Sequence, residues 1–589
     1  MSIRTSIDNK LNLKYYKGTD DYSDGDIELE LLKIVQENED FSEVLKKDNR
    51  WAVLYHLTPL RRNLLEWYDF NKEADVLEIG AGLGAITGLL CEKNRSVTAV
   101  ELSKIRASII AERTKKYNNL EIFVGNLNDI KFDKKFDYIT LIGVLEYAAR
   151  YTQSENPYFD FLAGIKKLLK PNGTLIIAIE NKFGLKYWAG ANEDHTGRLF
   201  DSIENYPQNL GIKTFGKYEL EQLIKSEGFS NLEFYYPMPD YKIPTQIFSD
   251  KCVPNFGQMN NFSNNYDQPR KILFNEKLAY ANIIKNKQFS FFANSFLIFA
   301  SNITSEKRNL YSNFKREIGL KYQIETDILE EQARKYSKKT PISKKSKEHI
   351  SEIYENYKIL CKQLDSCETF TIAPCKKIKN SIIFDYIEGE NLSDTLQELI
   401  LSQKREKIIS FMQEYKKLIE KYYFKARKVE KYSTKKVADI FGEHDFENVF
   451  VYDMLNIDLI MDNIIKTKNK YTIIDYEFII NNSLPVDYII ARTVFNIYYK
   501  FCDVLSDVIS KEEMFKTLDI KLEDAKKYYE MEKSFQRYVF KDANYTIGNQ
   551  YQKAHLLLEE NNHNNEERKL MELKFGKSIF KLTLTKEAV

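Results

Sequence analysis

The sequence lacks three features that would place it among secreted, membrane-spanning or nucleic-acid-binding proteins. Its six cysteines include no C-x-x-C pair, so neither a structural zinc site nor a disulfide framework is indicated, and a reducing cytoplasm fits best. No apolar run approaches the roughly 18 residues of a membrane span, and the N-terminus MSIRTSIDNK lacks the apolar core of a signal peptide. An excess of one charge is also missing, because 87 Lys and Arg stand against 86 Asp and Glu. We therefore expect no nucleic-acid partner, and only peripheral contact with the inner face of a membrane.

The length and composition predict a multidomain globular protein. A chain of 589 residues with 43% hydrophobic residues should form two to four domains with real cores. Residues 1–70 contain two stretches with helical apolar spacing, Ile27 to Val35 and Trp51 to Phe70. We expect them to form an N-terminal helical cap, in which His56 has a structural role.

The stretch from Asp75 to Ser103 predicts a binding site for a nucleotide-like cofactor. The apolar run of Val76, Leu77 and Ile79 is typical of a buried parallel strand, and Gly80, Gly82 and Gly84 follow at alternate positions. A second strand ends at Glu101, at the usual distance for a carboxylate that accepts hydrogen bonds from ribose hydroxyls. Since Gly80, Gly82 and Ala85 also satisfy a permissive dinucleotide fingerprint, the glycines alone leave a hydride-transfer domain open.

Strands and helices alternate from Asp75 onward, which predicts a doubly wound parallel α/β sheet over residues 71–303. Further strands are expected at Leu120 to Val124, from Phe136, in TLIIAIEN after the turn KPNG, around Leu232 to Tyr235, and at Ser295 to Ala300.

This order, with LEIGAGLG as cofactor loop and KPNGTLIIAIEN as post-helix turn and strand, resembles the class I S-adenosylmethionine-dependent methyltransferases. The resemblance covers roughly residues 50–300 and disfavours the dehydrogenase alternative. It implies S-adenosylmethionine as cofactor, Glu78 and the three glycines near its methionine part, and Glu101 on its ribose. It further implies Asn126 and Leu127 near the adenine, and Gly143 and Glu146 at the floor of the site.

The most polar segment of this half follows the predicted fifth strand and is expected to form the acceptor pocket. It runs from Glu180 to Gly197, ENKFGLKYWAGANEDHTG, and lies where acceptors enter such folds, at the carboxyl edge of the sheet. His195 is the candidate base if the acceptor is a hydroxyl group, whereas a phosphate oxygen would need none. Tyr187 and Trp188 are costly to leave in water, which favours a binding role over a solvated loop. The downstream segment FYYPMPDYKIPTQIFSD is expected to close the same pocket.

The second half carries residues suited to phosphoryl transfer. Lys307 to Glu348 is rich in Lys and, by itself, indicates a solvated face or linker. Further on, Asp458 and Asn463 stand five apart in a turn, and Asp475 follows an apolar strand. One carboxylate there can accept a hydroxyl proton while the amide and the second carboxylate hold Mg²⁺ on nucleotide phosphates.

D-x-x-x-x-N followed by a strand ending in Asp475 resembles protein-kinase-like and aminoglycoside-phosphotransferase-like enzymes. The resemblance implies an α+β kinase-like domain at 310–503 with Asp458 as base, Asn463 and Asp475 on Mg²⁺, and ATP as the phosphate donor. The ATP-binding lysine would be Lys335 or Lys338, with Glu352 or Glu355 as its partner; Lys335 with Glu352 ranks first. Residues 504–589 are expected to be a helical C-terminal region.

The two domains on one chain are similar to bacterial methyltransferase/kinase enzymes that terminate surface polysaccharides. The strings HLTPLRRNLLEWY, EIGAGLGAITGLLC, IENKFGLKYWAGANEDHTG and NIDLIMDNII carry this resemblance. It implies phosphorylation and then methylation of a glycan or lipid-linked polysaccharide terminus, with a glycosyltransferase as a candidate partner. Two alternatives stay open. Because Asn456 replaces the usual His and no glycine-rich loop is visible, the second domain could be a non-catalytic binding module. The methyltransferase could also act on a small metabolite or a protein.

Overall fold

The computed structural model describes residues 10–20, 25–48, 50–259, 273–365, 367–468, 470–541, 571–575 and 578–582. It divides into one large unit up to Asn544 and a second unit from Tyr545 onward. Within the described residues of the second unit, the ranges Met571–Phe575 and Ser578–Leu582 pair as antiparallel strands. The sequence predicted only helix in 504–589, so this hairpin is a correction, whereas Lys511–Thr517 and Leu522–Phe540 are helical.

The large unit is built on one 14-stranded mixed sheet. Its strand order is β1-β4-β3-β2-β5-β6-β9-β7-β8-β10-β11-β12-β15-β14. The first fifteen strands in chain order, of which β13 belongs to another sheet, are β1 (Leu11–Asn12), β2 (Asp75–Ile79), β3 (Ser96–Glu101), β4 (Leu120–Val124), β5 (Phe136–Ile142), β6 (Leu169–Glu180), β7 (Asn231–Met238), β8 (Gln246–Ser249), β9 (Ser295–Ser301), β10 (Lys307–Phe314), β11 (Ile324–Glu331), β12 (Arg334–Pro341), β13 (Phe370–Ile372), β14 (Cys375–Ile378) and β15 (Ser381–Asp385).

α-Helices occur in both halves of the chain. The α-helices are Ile27–Glu37, Ser42–Lys47, Trp51–Leu57, Asn63–Glu66, Thr87–Lys93, Lys104–Arg113, Ala148–Tyr151, Pro157–Leu168, Leu185–Trp188, Lys217–Ser226, Glu276–Lys285, Phe289–Phe292, Ser346–Leu364, Leu392–Leu401, Arg405–Tyr422, Ala438–Phe441, Asp487–Val508, Lys511–Thr517 and Leu522–Phe540. No helix among the described residues is both long and apolar enough to span a bilayer.

The first half of the sheet has the predicted α/β order, with one difference in strand direction. Strands β2 to β6 pair in parallel. Strand β9, however, is inserted antiparallel between β6 and β7, so the sheet is not parallel throughout. The predicted turn KPNG is also not a turn before a strand, because it lies as a bulge within β6, between the pairs Phe136–Leu169 and Tyr138–Thr174.

Alternate side chains of these strands enter two cores, one on each face of the sheet. Leu77 and Ile79 of β2 belong to one buried cluster, and Val76 belongs to the other. Both faces are therefore covered, as expected for parallel strands that consist almost wholly of apolar residues. The carboxyl edge of β2 to β6 is left for polar residues and for a ligand.

The Lys-rich stretch from Lys307 is not a linker. It forms β10, β11 and β12, three antiparallel strands, and β10 pairs with β8 of the first half. The sheet therefore runs without a break across the boundary predicted at 303–310. Smaller sheets and helices complete the second half; the remaining strands are Glu390–Asn391, Arg427–Ser433, Asp445–Tyr452, Leu455–Asn456, Ile464–Lys466, Tyr471–Ile473, Ile479–Ile480 and Leu484–Pro485.

Candidate functional site

A cavity of about 560 Å³ opens at the carboxyl edge of β2 to β6. One end is formed by the glycine turn after β2 and by Glu101, and the other end by Glu146, Glu180 and His195. Of the residues predicted to bind the cofactor in this half, six line it: Gly80, Gly82, Glu101, Asn126, Leu127 and Gly143. The cavity is large enough for a nucleotide-sized ligand with room for a second reactant.

The glycine turn leaves the floor of this cavity open. Gly80 and Gly82 both have positive φ, +66° and +58°, which only glycine adopts at little cost. A Cβ on Gly80 would lie 2.5 Å from Cγ2 of Val144, whereas a Cβ on Gly82 would point into empty space. A ligand can therefore approach the backbone closely at Gly82. Gly84 has a packing role instead, since its Cβ would lie 3.3 Å from Cα of Ile110, and it does not line the cavity.

Two buried carboxylates stand behind and beside the turn. Glu101 accepts hydrogen bonds from N of Gly82 (2.8 Å) and N of Ser103 (3.1 Å), and each oxygen keeps a second lone pair for a ligand hydroxyl. Burial raises its pKa, partly offset by Arg106. Glu78 lies behind the turn rather than in the cavity, and burial raises its pKa to about 8. The implied contact of Glu78 with the cofactor is therefore not seen in this structure.

Residues after β4 and β5 line the middle of the cavity. Asn126 accepts a hydrogen bond from N of Asn128 (3.0 Å), which orders the turn that also presents Leu127. Gly143 faces Tyr241, whose hydroxyl would lie 2.9 Å from a Cβ at this position. The open face at Gly82, the acid at the end of β3 and this middle section fit an adenosyl cofactor.

The far end of the cavity holds a cluster of buried acids around His195. Nε2 of His195 lies 3.5 Å from Oε1 of Glu146 and 3.9 Å from Oε2 of Glu180, and Nδ1 lies 3.0 Å from Oε1 of Glu193. Burial alone would lower the pKa of His195, but Glu180, Glu146 and Glu193 outweigh it and raise the pKa well above its usual range. The raised pKa favours the protonated imidazole, which has no lone pair left to accept a proton.

Two lysines form ion pairs with acids of this cluster. Nζ of Lys242 lies 2.9 Å from Oε1 of Glu180 and 2.8 Å from Oδ1 of Asp194. Nζ of Lys186 lies 2.7 Å from the other oxygen of Asp194. Burial alone would raise the pKa of Glu180, but Lys242 and His195 outweigh it and lower the pKa.

Five other residues of the predicted acceptor loop and its end do not line the cavity: Asn181, Lys182, Tyr187, Trp188 and Arg198. Asn181 donates to O of Ala293, and Lys182 pairs with Glu219. Tyr187 is fully buried, Trp188 is exposed, and neither lines the cavity. The side chain of Arg198 is also exposed.

Two further segments complete the cavity wall. The N-terminal helices, which were not predicted as part of the site, contribute Trp51, Tyr55, His56 and Arg61. The segment after β7, which the sequence predicts to close the pocket, contributes Tyr241 and Lys242. The guanidinium group of Arg61 stacks 4.3 Å from the ring of Tyr55 and donates to O of Lys242 (2.7 Å). His56 and Arg61 belong to the string HLTPLRRNLLEWY, whereas the helical spacing of residues 51–70 indicated only a structural cap.

The raised pKa of His195 predicts a pH effect on stability. Its proton is bound more tightly in the folded state, so the stabilisation is complete below the unfolded pKa of about 6.5 and is lost as pH rises towards the folded pKa. In this window the free energy of unfolding should fall by up to about 1.4 kcal/mol per pH unit from this group. His195→Gln should make the slope flatter by that amount in urea titrations from pH 6.5 upwards with chelator present. An unchanged slope would contradict the assignment.

In the second half, the three residues predicted for phosphoryl transfer lie together. Nδ2 of Asn463 donates to O of Asp458 (2.9 Å), and N of Ile474, next to Asp475, donates to O of Asn463 (3.0 Å). Burial and the charge of Asp475 raise the pKa of Asp458 to about 6. That value is suited to a base at neutral pH.

The predicted lysine partner of this site is wrong. Glu352 pairs with Lys321 (2.7 Å) rather than with Lys335, and Nζ of Lys335 lies over the ring of Tyr386. Buried Lys339 instead points to the site, with Nζ 2.6 Å from Oδ1 of Asp475 and 2.6 Å from Oε1 of Glu477. In strand β12, residues 335, 337 and 339 share one face, and only the last lies deep enough to reach Asp475.

Residues 77–175 match the family model described as "Methyltransferase domain". An uncharacterized methyltransferase of Staphylococcus carnosus is 34% identical over 210 residues, which cover 33% of this chain and 86% of that protein. A demethylmenaquinone methyltransferase of Tropheryma whipplei is 28% identical, covering 23% of this chain and 58% of its own length.

A solved structure with a similar segment is the N-methyltransferase NodS of Bradyrhizobium japonicum with S-adenosyl-L-homocysteine. It is 14% identical, covers 47% of this chain and all of its own length, and has a TM-score of 0.26.

Proposed function

Because the chain belongs to the methyltransferase family that includes the Staphylococcus carnosus protein, we propose that it is an O-methyltransferase for the terminus of a bacterial surface polysaccharide. The observation that carries this proposal is the single cavity that joins the glycine turn and Glu101 to Glu146, Glu180 and His195. The chain is a methyltransferase that uses S-adenosylmethionine, and the bound cofactor would supply the methyl group.

Residues at one end of the cavity would bind the cofactor, and residues at the other end would bind the acceptor. Glu101 would accept hydrogen bonds from ribose hydroxyls, and the open face at Gly82 would admit the cofactor to the backbone. At the other end, Glu146 and Glu180 would accept hydrogen bonds from acceptor hydroxyl groups, which suits a sugar. The cap residues Trp51 and Tyr55 would exclude water and stack on a flat or apolar face of a ligand.

A second proposed activity rests on the grouping of Asp458, Asn463 and Asp475. In this proposal the kinase-like domain phosphorylates the terminal sugar, and methylation of the new phosphate stops chain growth. Lys339 would contact the phosphates of ATP, Asn463 and Asp475 would hold Mg²⁺, and Asp458 would accept the hydroxyl proton. The acceptor would be lipid-linked, which would bring the protein to the inner membrane face beside a glycosyltransferase.

Mass spectrometry of glycan ends tests both parts of the proposal. Purified protein is incubated with S-adenosylmethionine, ATP and Mg²⁺, and the ends are examined for added phosphate, added methyl or both. Addition of both groups is expected. If neither group is added to any glycan terminus, the proposal fails; if methyl is added only to a small metabolite or to a protein, the third interpretation of the sequence is correct.

Glu101→Gln should weaken binding of S-adenosylhomocysteine by about 10- to 100-fold. Hydrogen bonds to a charged group contribute about 1.5–3 kcal/mol, and the amide would also present N–H to the donor of Gly82. Isothermal titration calorimetry measures the affinity. Glu121→Gln on the neighbouring strand β4 is the matched control, because that side chain is exposed and outside the cavity. If the two variants bind S-adenosylhomocysteine with equal affinity, Glu101 does not bind the cofactor.

A further inference from the structure

The acids at the far end of the cavity outnumber the ammonium groups beside them. Glu146, Glu180, Glu193 and Asp194 are four buried or nearly buried carboxylates, and among the described residues the ammonium groups of Lys186 and Lys242 pair with Asp194 and Glu180. Glu146 and Glu193 have His195 as their charged partner. Buried carboxylates are stable when they are paired or bound to a metal ion, so a cation beside Glu146 and Glu180 would stabilise the cluster.

Two carboxylate oxygens are open to receive that cation. Oε2 of Glu146 and Oε2 of Glu180 have no hydrogen-bond partner in the described part of the chain, although the two residues are only 1% and 0% exposed. On Glu180, Lys242 is bound to the other oxygen, Oε1. Buried polar atoms nearly always have a partner, so these two oxygens indicate a binding place for a positively charged ligand.

The geometry of the three side chains suits one metal ion. Ligand atoms of Glu146, Glu180 and His195 all lie within 4.8 Å of one another. An octahedral ion with bonds of about 2.1 Å places its ligands roughly 3–4.2 Å apart, close to the 3.5 and 3.9 Å between Nε2 and the two carboxylates. No other group of three His, Cys, Asp or Glu side chains in the described ranges meets this condition.

Glu193 orients the histidine for this role. Its Oε1 accepts from Nδ1 of His195 at 3.0 Å, and its Oε2 accepts from N of His195 and N of Thr196 (2.8 and 2.7 Å). With Nδ1 holding the proton, the lone pair on Nε2 faces Glu146 and Glu180. A carboxylate behind a histidine is the usual outer partner of a metal-binding imidazole.

We propose that Glu146, Glu180 and His195 bind one divalent cation, Mn²⁺ or Mg²⁺, at the acceptor end of the cavity. Two carboxylates and one imidazole are ligands that such ions accept. Three coordination positions are left towards the cavity, and there, resting on the proposed function, the ion would bind the oxygen that receives the methyl group.

Binding of Mn²⁺ alone to the full chain tests the site, with free Mn²⁺ counted by electron paramagnetic resonance at pH 8. Glu180→Gln and His195→Gln should each weaken one Mn²⁺ site at least 10-fold, and Glu193→Gln should weaken the same site about 10-fold. Glu219→Gln is the matched control and should bind as the wild type, because its carboxylate pairs with Lys182 outside the cavity.

The outcomes separate this proposal from the proposed function, because neither cofactor nor acceptor is present in the binding experiment. Wild-type protein that binds no Mn²⁺, or isotherms of Glu180→Gln and His195→Gln that equal the wild type, would overturn the metal site. Should one variant fail to fold, as judged by circular dichroism, the others and Glu146→Gln give the same decision. If Mn²⁺ binds but no methyl is transferred to any glycan, the metal site stands and the proposed acceptor class is rejected.

Discussion

Phosphate transfer to a glycan terminus should fall by about 10²- to 10⁴-fold when Asp458 is replaced by asparagine, while methyl transfer to an already phosphorylated acceptor stays unchanged. This is the range that a general base contributes. Asp458 is suited to that role because burial and Asp475 raise its pKa to about 6. Its Oδ2 accepts from N of Phe478 (2.7 Å), which fixes the carboxylate.

The measurement is transfer of labelled phosphate from ATP, followed separately from transfer of labelled methyl. Asp453→Asn is the control, since that carboxylate is in the same half of the chain and 73% exposed. If Asp458→Asn transfers phosphate at the wild-type rate, Asp458 is not the base. If the wild type transfers no phosphate, the second half is a binding module, in agreement with Asn456 in place of the usual histidine.

Lys242→Met should lower the free energy of unfolding by about 3–5 kcal/mol at pH 8, because it leaves buried Glu180 without its ammonium partner. Asp194 loses less, since Lys186 stays 2.7 Å away. The loss should be smaller at pH 5. Glu180 would have a raised pKa in the variant, and a carboxyl group with a raised folded pKa is stabilising only in its protonated form.

Urea unfolding at pH 5 and pH 8 measures this difference. Lys213→Met is the matched control, because Lys213 is 32% exposed and its nearest carboxylate, Glu219, is 3.8 Å away; it should change stability by less than about 1 kcal/mol. Equal destabilisation by Lys242→Met at both pH values would show that the ammonium group acts through packing rather than charge.

The cofactor half of the fold could be predicted from its sequence because each element carries a local signal. The apolar run of β2, the glycines after it and the acid at the end of β3 are close in sequence and report the same βαβ unit. The direction of β9 had no such signal. It depends on the long segment between β6 and β9, and an antiparallel strand has the same apolar composition as a parallel one when both faces are buried.

The apolar strand before Asp475 was predicted, whereas β10 to β12 were missed, and for β12 the reason is physical. The residues of β12, RKYSKKTP, show no alternation of apolar side chains. Lys339 of β12 points into the interior. Its ammonium group is stable there because it pairs with Asp475 and Glu477, which are 136 and 138 positions further along the chain. A local sequence pattern does not show which distant carboxylates pair with a lysine. For the same reason Lys335 was predicted as the ATP-binding lysine instead of Lys339.

The acceptor cluster was predicted in part. The loop from Glu180 to Gly197 was predicted to form the acceptor pocket, and the segment with Tyr241 and Lys242 was predicted to close it. Only the folded chain shows that His195 is held among three acids. The sequence made His195 the candidate base for a hydroxyl acceptor, whereas these acids raise its pKa well above its usual range.

The pairing of β8 with β10 has a consequence for how two reactions could follow each other. Backbone hydrogen bonds, rather than a tether, join the halves, so neither half can swing towards the other. In the proposed function, a glycan end that is modified at both centres would itself travel between them, which a long flexible polymer can do. Separating the halves near residue 305 would expose the edges of β8 and β10. Exposed strand edges promote aggregation. The activities should therefore be dissected by point substitution in the intact chain.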